Sequence, residues 1–501
     1  MPAARPPPMN QMQTSRARLS SSTLANAEPT VAKPGYDRSG LGTGIVHLGL
    51  GAFHRAHQAL YTEAAVEAGD RRWGVVGVSL RDARIPRLLA DQDHLYSVTE
   101  RHGDEARTRV VSVLIDALHA PTSLRKVVDA IADPSVSVVT TTVTEKGYSQ
   151  NPANAELAVD DVDIRHDLSD PGAPRTTLGV LVAGIRRRPA VAPLSIVCCD
   201  NMASNGETLR KLLVQYAGLL DPALAQRIEH GIALPNSMVD RIVPAATAPS
   251  LDWAAQRLGL RDEVAIVCEP FTQWVIEDRF AGPRPAWEDA GALLTADVRP
   301  YQAMKLRLLN GTHSAIAYAG QLCGLDSVAE AMADRTVGGF AGAVMDDLRA
   351  TVTVPAGYDV GRYCGELLRR FENPALQHRT QQIAMDGTQK VPVRWLPALR
   401  ESAAAGVERR SLEHALALWL HYLATERSDQ GQALIVSDPG APALAARLRA
   451  ATSPAEAVRQ ALAHAPVFGD EPWPAAFTAR LAGHVAMLQA HGTRALLQSR
   501  P

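Results

Sequence analysis

Residues 44–54 read GIVHLGLGAFH, a short apolar run that ends in Gly-x-Gly. A strand that runs into GxGxx is where a dinucleotide pyrophosphate meets a helix N-terminus in doubly wound α/β folds. Gly49 would make the tight turn and Gly51 would let the backbone approach the phosphates, with Ala52 and Phe53 opening the helix. The third fingerprint position is His54 rather than Gly or Ala, so by itself the stretch fits an ordinary βα turn as well.

The chain beyond residue 54 favours the dinucleotide reading. Four more short runs rich in β-branched residues appear, at 73–80 (WGVVGVSL), 136–143 (VSVVTTTV), 194–199 (LSIVCC) and 264–268 (VAIVC). Helix-like or polar sequence separates them, as expected of buried parallel strands joined by helical crossovers. After about residue 287 strand runs become scarce, and Ala/Leu/Arg-rich stretches take over at 290–294, 326–348, 361–371 and 412–425. The pattern predicts an N-terminal α/β, Rossmann-like doubly wound domain over 41–286. It predicts a mainly α-helical substrate and catalytic domain over 287–501. Residues 1–40, rich in Pro, Ser, Ala and Arg, read as a disordered tail.

Composition narrows the class. At 501 residues the chain is long for one core. A net charge of −2 gives no global attraction to nucleic acid or an anionic membrane. The five cysteines, Cys198, Cys199, Cys268, Cys323 and Cys364, show no CxxC and no zinc-ligand spacing. With no apolar segment of secretory or membrane-spanning length, the expected location is the cytoplasm.

Polar residues at strand ends are candidate ligand contacts, because ligands of open α/β sheets bind beyond the carboxyl ends of strands. The second strand closes on Arg81-Asp82-Ala83-Arg84. Asp82 would bind the ribose diol of NAD, whereas Arg81 and Arg84 would suit the 2′-phosphate of NADP. Glu145 and Lys146 lie just past the 136–143 strand and read either as a surface ion pair or as part of a site. Asn201 lies just past the 194–199 strand, and an amide there can donate to a developing oxyanion.

One stretch of the helical half stands out: residues 301–315, YQAMKLRLLNGTHSA. The chain has six lysines against 45 arginines among its 51 basic residues, and Lys305 is one of the six. On an α-helix, with Lys305 at 0°, His313 falls near ~80°, Asn310 near ~140° and Arg307 near ~200°. Lysine, amide and imidazole then share one side. A lysine whose ammonium is desolvated can act as a general base near neutral pH, and an arginine cannot. The plain alternative is a snorkelling lysine above a core histidine.

The blocks IVHLGLGAFHRAHQALY, TVTEKGY, CDNMASNGE, PNSMVDRIVP, CEPFTQWVIEDRF and MKLRLLNGTHS, in this order, resemble the mannitol dehydrogenase family of polyol-specific long-chain dehydrogenases and reductases. The resemblance runs from about residue 35 and fades past about 400. It implies zinc-independent hydride transfer between NAD and a secondary alcohol of a sugar acid or polyol. It implies Lys305 as general acid/base, Asn201 and Asn310 as oxyanion donors, and His313 as a substrate contact. Asp240 and Arg241 match a family Asp-Arg pair that shapes the substrate site. Residues 378–390 (HRTQQIAMDGTQK) and Arg307 are similar to the fructuronate reductases of the family, with Arg307 or Arg379 as partner of a uronate carboxylate. Mannitol or arabinitol dehydrogenation is the alternative, and a non-catalytic NAD-binding sensor a remote one. Gln302 stands where many relatives carry a glutamate that helps proton release. The expectation is a cytoplasmic monomer that acts on a small molecule and binds neither nucleic acid nor membrane.

Overall fold

The structure, a computed structural model, describes residues 16–151, 154–376 and 378–499. The chain divides at Arg299/Pro300 into two compact units.

The first unit holds eleven strands among its described residues: β1 (Thr43–Leu48), β2 (Gly74–Ser79), β3 (Tyr96–His102), β4 (Glu105–Val111), β5 (Leu114–His119), β6 (Val138–Thr141), β7 (Ser195–Cys198), β8 (Ser237–Asp240), β9 (Ile266–Cys268), β10 (Gln273–Glu277) and β11 (Leu293–Thr295). The central sheet is parallel throughout, in the order β5-β2-β1-β6-β7. Successive side chains feed opposite faces. Val46, Leu48, Val76, Val78, Val139 and Ile196 enter one core, and Ile45, Val75, Val138 and Val197 enter the other. Burial on both faces is why these strands read as unbroken apolar runs. The chain leaves β1 on one side for β2 and β5, and returns on the other for β6 and β7. The β1/β6 junction is therefore the topological switch point.

Four of the five expected strands are β1, β2, β6 and β7. The fifth run, 264–268, gives β9, which pairs with β3 in a separate sheet with β4. The strand of the central sheet that was not expected is β5 at its edge, whose LIDALH is half-buried and broken by Asp116. Residues 16–40 also depart from expectation. Leu19, Ala27 and Val31 build a small core with Leu95, Val110, Leu258 and Leu260. Leu19 N–H donates to Arg261 O and Ala32 N–H to Thr108 O, so this segment is packed. The remainder of the expected tail, residues 1–15, lies outside the described residues. Residues 287–299 belong to the first unit, because β11 pairs with β10 and the Trp287 indole N–H donates to Thr62. The stretch 290–294, expected to be helical, contributes to β11 instead.

The second unit is mainly helical among its described residues. Its centre is the helix Thr312–Cys323, buried along nearly its whole length. The helices Arg335–Arg349 and Arg410–Ala424 pack against it. No helix among the described residues is long and apolar enough to cross a membrane.

Candidate active site

At the switch point of the first unit, Gly49 has φ +101°, where L side chains are strained. A Cβ there would also overlap the carbonyl of Thr142 at the end of β6. Gly51 differs. Its φ is an ordinary −90°, and a Cβ would find only the Gly49 carbonyl, at 3.7 Å. The absent side chain leaves room above the turn, at the start of the helix Ala52–Ala56, whose first N–H groups have no intrahelical acceptor. His54, in place of the third glycine, lies flat on His47 of β1, with ring centroids 3.4 Å apart. Both are held neutral by burial: His47 is lowered to about 3 and His54 falls well below 6.5. Asp82 is exposed beyond β2, and its carboxylate accepts from Arg84 N–H at 2.7 Å. A glycine cradle at the switch point with a carboxylate at the second strand fits a dinucleotide.

The tips of β6 and β7 are tied together by Asp200, a residue that no sequence motif marked out for this task. Its carboxylate accepts from Val143 N–H and Thr144 N–H, each at 2.9 Å, and from the Tyr148 hydroxyl at 2.5 Å. This fixes Thr144 at φ +69° immediately before Glu145, which opens the 3₁₀ turn Glu145–Tyr148 and is exposed. Asn201 is the next residue after Asp200. Asn205 braces the same tip, its amide donating to the carbonyls of Cys198, Asp200 and Ser237.

In the second unit the lysine stretch is not an α-helix. Lys305–Gly311 forms a π-helix, continuous with the helices on either side. Bonding from i to i+5 brings residues five apart about one turn above each other. Lys305 and Asn310 are five apart, so they lie closer together round the axis than the ~140° of an α-helix would put them. His313, three α-helical steps further, lies about 60° round. Lys305 is 9 % exposed and His313 8 %. Gly311 is helical at φ −64°; a Cβ there would meet Leu348 Cδ1 at 2.9 Å, within the same unit.

His313 stacks on Phe371, and its ring centroid is 4.8 Å from that of His378. Its pKa falls well below the ordinary value, first through burial, then through His378, Arg394, Arg370 and Lys390. His313 Nε2 and His378 Nδ1 have no hydrogen-bond partner among the described residues. His378 was inside the stretch that carried the resemblance, yet only the fold brings it to His313.

Other expected residues lie differently. The Arg307 fork grips the Glu401 carboxylate at 2.7 and 3.0 Å, so its bidentate capacity is taken. Arg379 is exposed and lines a cavity of about 740 Å³ with Gln321, Asp326 and Glu372. Arg241 is buried and donates to Glu100 and to the Glu269 and Ala56 carbonyls, as a brace does. Asp240, at the end of β8, is buried too.

The family model for the mannitol dehydrogenase Rossmann domain matches residues 43–289, and that for the mannitol dehydrogenase C-terminal domain matches 297–489. The D-mannonate oxidoreductase of Escherichia coli is 41 % identical over 425 residues, covering 83 % of this chain and 87 % of that protein. A mannitol 2-dehydrogenase of Phaeosphaeria nodorum is 37 % identical over 454 residues, covering 89 % and 79 %. Among solved structures, the Pseudomonas fluorescens mannitol 2-dehydrogenase in ternary complex with NAD and D-mannitol is similar with a TM-score of 0.82 and 33 % identity, over 96 % of this chain and 99 % of that one.

Proposed function

The chain belongs to the mannitol dehydrogenase family and is an oxidoreductase acting on alcohol groups, and on that premise we propose that it interconverts a secondary alcohol and a ketone on a sugar acid, the fructuronate/D-mannonate pair, with NAD. Gly49, Gly51, Ala52, Phe53, Asp82 and Glu145 would hold NAD, which supplies the hydride acceptor when bound. Lys305 is the general acid/base. Uncharged, it takes the hydroxyl proton; protonated, it returns a proton to the carbonyl oxygen. Asn310 donates its amide to that oxygen as charge develops, and Asn201 is the second donor that the family resemblance assigns. The ring nitrogens of His313 and His378 serve the rest of the substrate.

The observation that supports this reading is the π-helical register, which brings Lys305 and Asn310 toward the same side of one helix. One observation favours a sugar acid: His313 lies near Arg394, Arg370 and Lys390, three cationic side chains suited to a carboxylate. Likeness to the P. fluorescens enzyme supports mannitol 2-dehydrogenation as the second reading.

The test tracks reduced-cofactor absorbance with fructuronate, tagaturonate, fructose and xylulose, and with D-mannonate and mannitol in reverse, using NAD and NADP. Turnover of polyols and their ketoses alone would overturn the sugar-acid reading. Silence with every pair would leave only an NAD-binding sensor. Lys305→Ala should lower turnover by about 10²–10⁴-fold, with NAD affinity within about twofold of the parent. Lys305→Arg should be almost as damaging, because arginine does not cycle its proton.

A further inference from the structure

A π-helical turn carries one more residue than an α-helical turn and bonds from i to i+5, so where it gives way to an α-helix a carbonyl drops out of the ladder and needs another donor. In this unit two consecutive carbonyls at the end of the π stretch meet side-chain donors from one neighbouring corner. Arg394 Nη1 donates to Asn310 O at 3.1 Å, and Trp395 Nε1 donates to Gly311 O at 3.0 Å. The same Arg394 nitrogen lies 2.7 Å from Ser314 Oγ, where the α-helix has resumed. Arg394 thus spans the transition from π to α.

The corner is built for this. Arg394 ends the helix Gly387–Arg394, and Trp395 sits at φ −121° between it and the helix Leu396–Ala404. The Trp395 side chain is completely buried. A Cβ on Gly311 would touch the indole, 3.4 Å from Trp395 Nε1. Asn310, whose carbonyl Arg394 holds, is the residue whose amide the reaction uses. Fixing that carbonyl fixes the base of the side chain.

We propose that Arg394, assisted by Trp395, is a positioning residue that holds Lys305–Gly311 in π-helical register and so aligns Asn310 with Lys305. The inference rests on the acid/base reading of Lys305. Without the clamp the stretch relaxes toward α-helix, and the lysine and amide turn about 140° apart. Lysine at 394 is a poor substitute, since a point charge on a flexible stem lacks the rigid fork that meets the carbonyl and the hydroxyl together.

The test compares Arg394→Met, Arg394→Lys and Trp395→Phe with Lys305→Ala, all as full-length chains. Arg394→Met should lower kcat at least about tenfold with substrate KM and NAD affinity within about threefold, because small misplacements of a catalytic group cost rate more than binding. Trp395→Phe, which removes the N–H and part of the indole's buried volume, should lower kcat by about threefold or more in the folded protein. Arg394→Lys should fall between Arg394→Met and the parent. The kinetic isotope effect on kcat, read with substrate deuterated at the reacting carbon, should rise in each variant as the chemical step slows. A merely structural role would reduce the amount of active protein and leave that isotope effect unchanged. Crystal structures of the variants should show i to i+5 bonding lost from 305–311. If Arg394→Met fails to fold, Trp395→Phe decides. Parental kcat and isotope effect in folded Arg394→Met or Trp395→Phe would overturn the inference, as would full recovery by lysine. Parental activity in Lys305→Ala would instead overturn the reading of Lys305, so the two failures are distinct.

Discussion

Two glycines two residues apart, Gly49 and Gly51, do different work, and substitution separates them. Gly49 serves the fold: its φ of +101° and the Thr142 carbonyl both refuse a side chain. Gly49→Ala should destabilise the first unit by at least about 3 kcal/mol, because strain and overpacking add. Gly51 has an ordinary backbone and open space. Gly51→Ala should leave stability within about 0.5 kcal/mol. Its methyl would occupy the room a phosphate needs, and NAD affinity should fall at least about tenfold. Denaturant titration and cofactor binding on both variants check the pair. Equal losses of stability would mean that Gly51 is structural too. Arg307 is a poor guide to substrate for a reason at the same scale. An arginine two residues from the proposed acid/base Lys305 invites a carboxylate, yet its fork already holds one, on Glu401.

Elements in this protein are held at their tips. Asp200 binds the ends of β6 and β7 by three hydrogen bonds, and burial raises its pKa, so its ionised form depends on those donors. Asp200→Ala would strand the Val143 and Thr144 N–H groups and release the left-handed Thr144. A loss of about 2–4 kcal/mol is expected, with Asp200→Asn recovering part of it, as measured by denaturant unfolding of the first unit. A change below about 0.5 kcal/mol would show that water replaces the carboxylate. Elements also differ in how legible they are in the sequence. Parallel strands were legible because burial on both faces writes an unbroken apolar run. β5 was not, since at the sheet edge it is only half-buried and Asp116 breaks its apolar run. The segment 16–40 was hidden because three spaced apolar residues carry its packing amid a polar, proline-rich composition. Lys305, Asn310 and His313 were legible as residue types on one helix. Their alignment was not, because a helical wheel assumes ~100° per residue and apolar spacing does not mark a π turn. Arg394 and His378 come from 84 and 65 residues further along the chain than Asn310 and His313, and a single sequence does not pair them.

At the scale of the whole molecule, buried imidazoles govern how stability responds to pH. His47 in the first unit and His414 in the second are each lowered to about 3, in both cases chiefly by burial. His54 and His313 are pushed down as well. A depressed folded-state value means that these groups cost nothing above the unfolded value of about 6.5. Below it the unfolded chain binds protons that the native state refuses, so stability falls from pH 6.5 toward 3. Glu63 acts in the opposite direction. Burial raises it to about 7, so its contribution is complete below about 4.5 and is lost as pH climbs through 7. Each group contributes up to about 1.4 kcal/mol per pH unit inside its window. Between pH 4.5 and 6.5 Glu63, with the raised Asp200 and Asp347, opposes the buried histidines, which outnumber them. Stability should therefore peak near pH 6.5–7 and decline on the acid side by at least about 1.4 kcal/mol per unit, in both units of the chain. Glu63→Gln should remove the shallow loss above the peak and steepen the acid limb. Urea unfolding at pH 5, 6, 7 and 8 measures both slopes, and a flat profile from 7 to 5 would mean that the buried imidazoles take up protons in the native state.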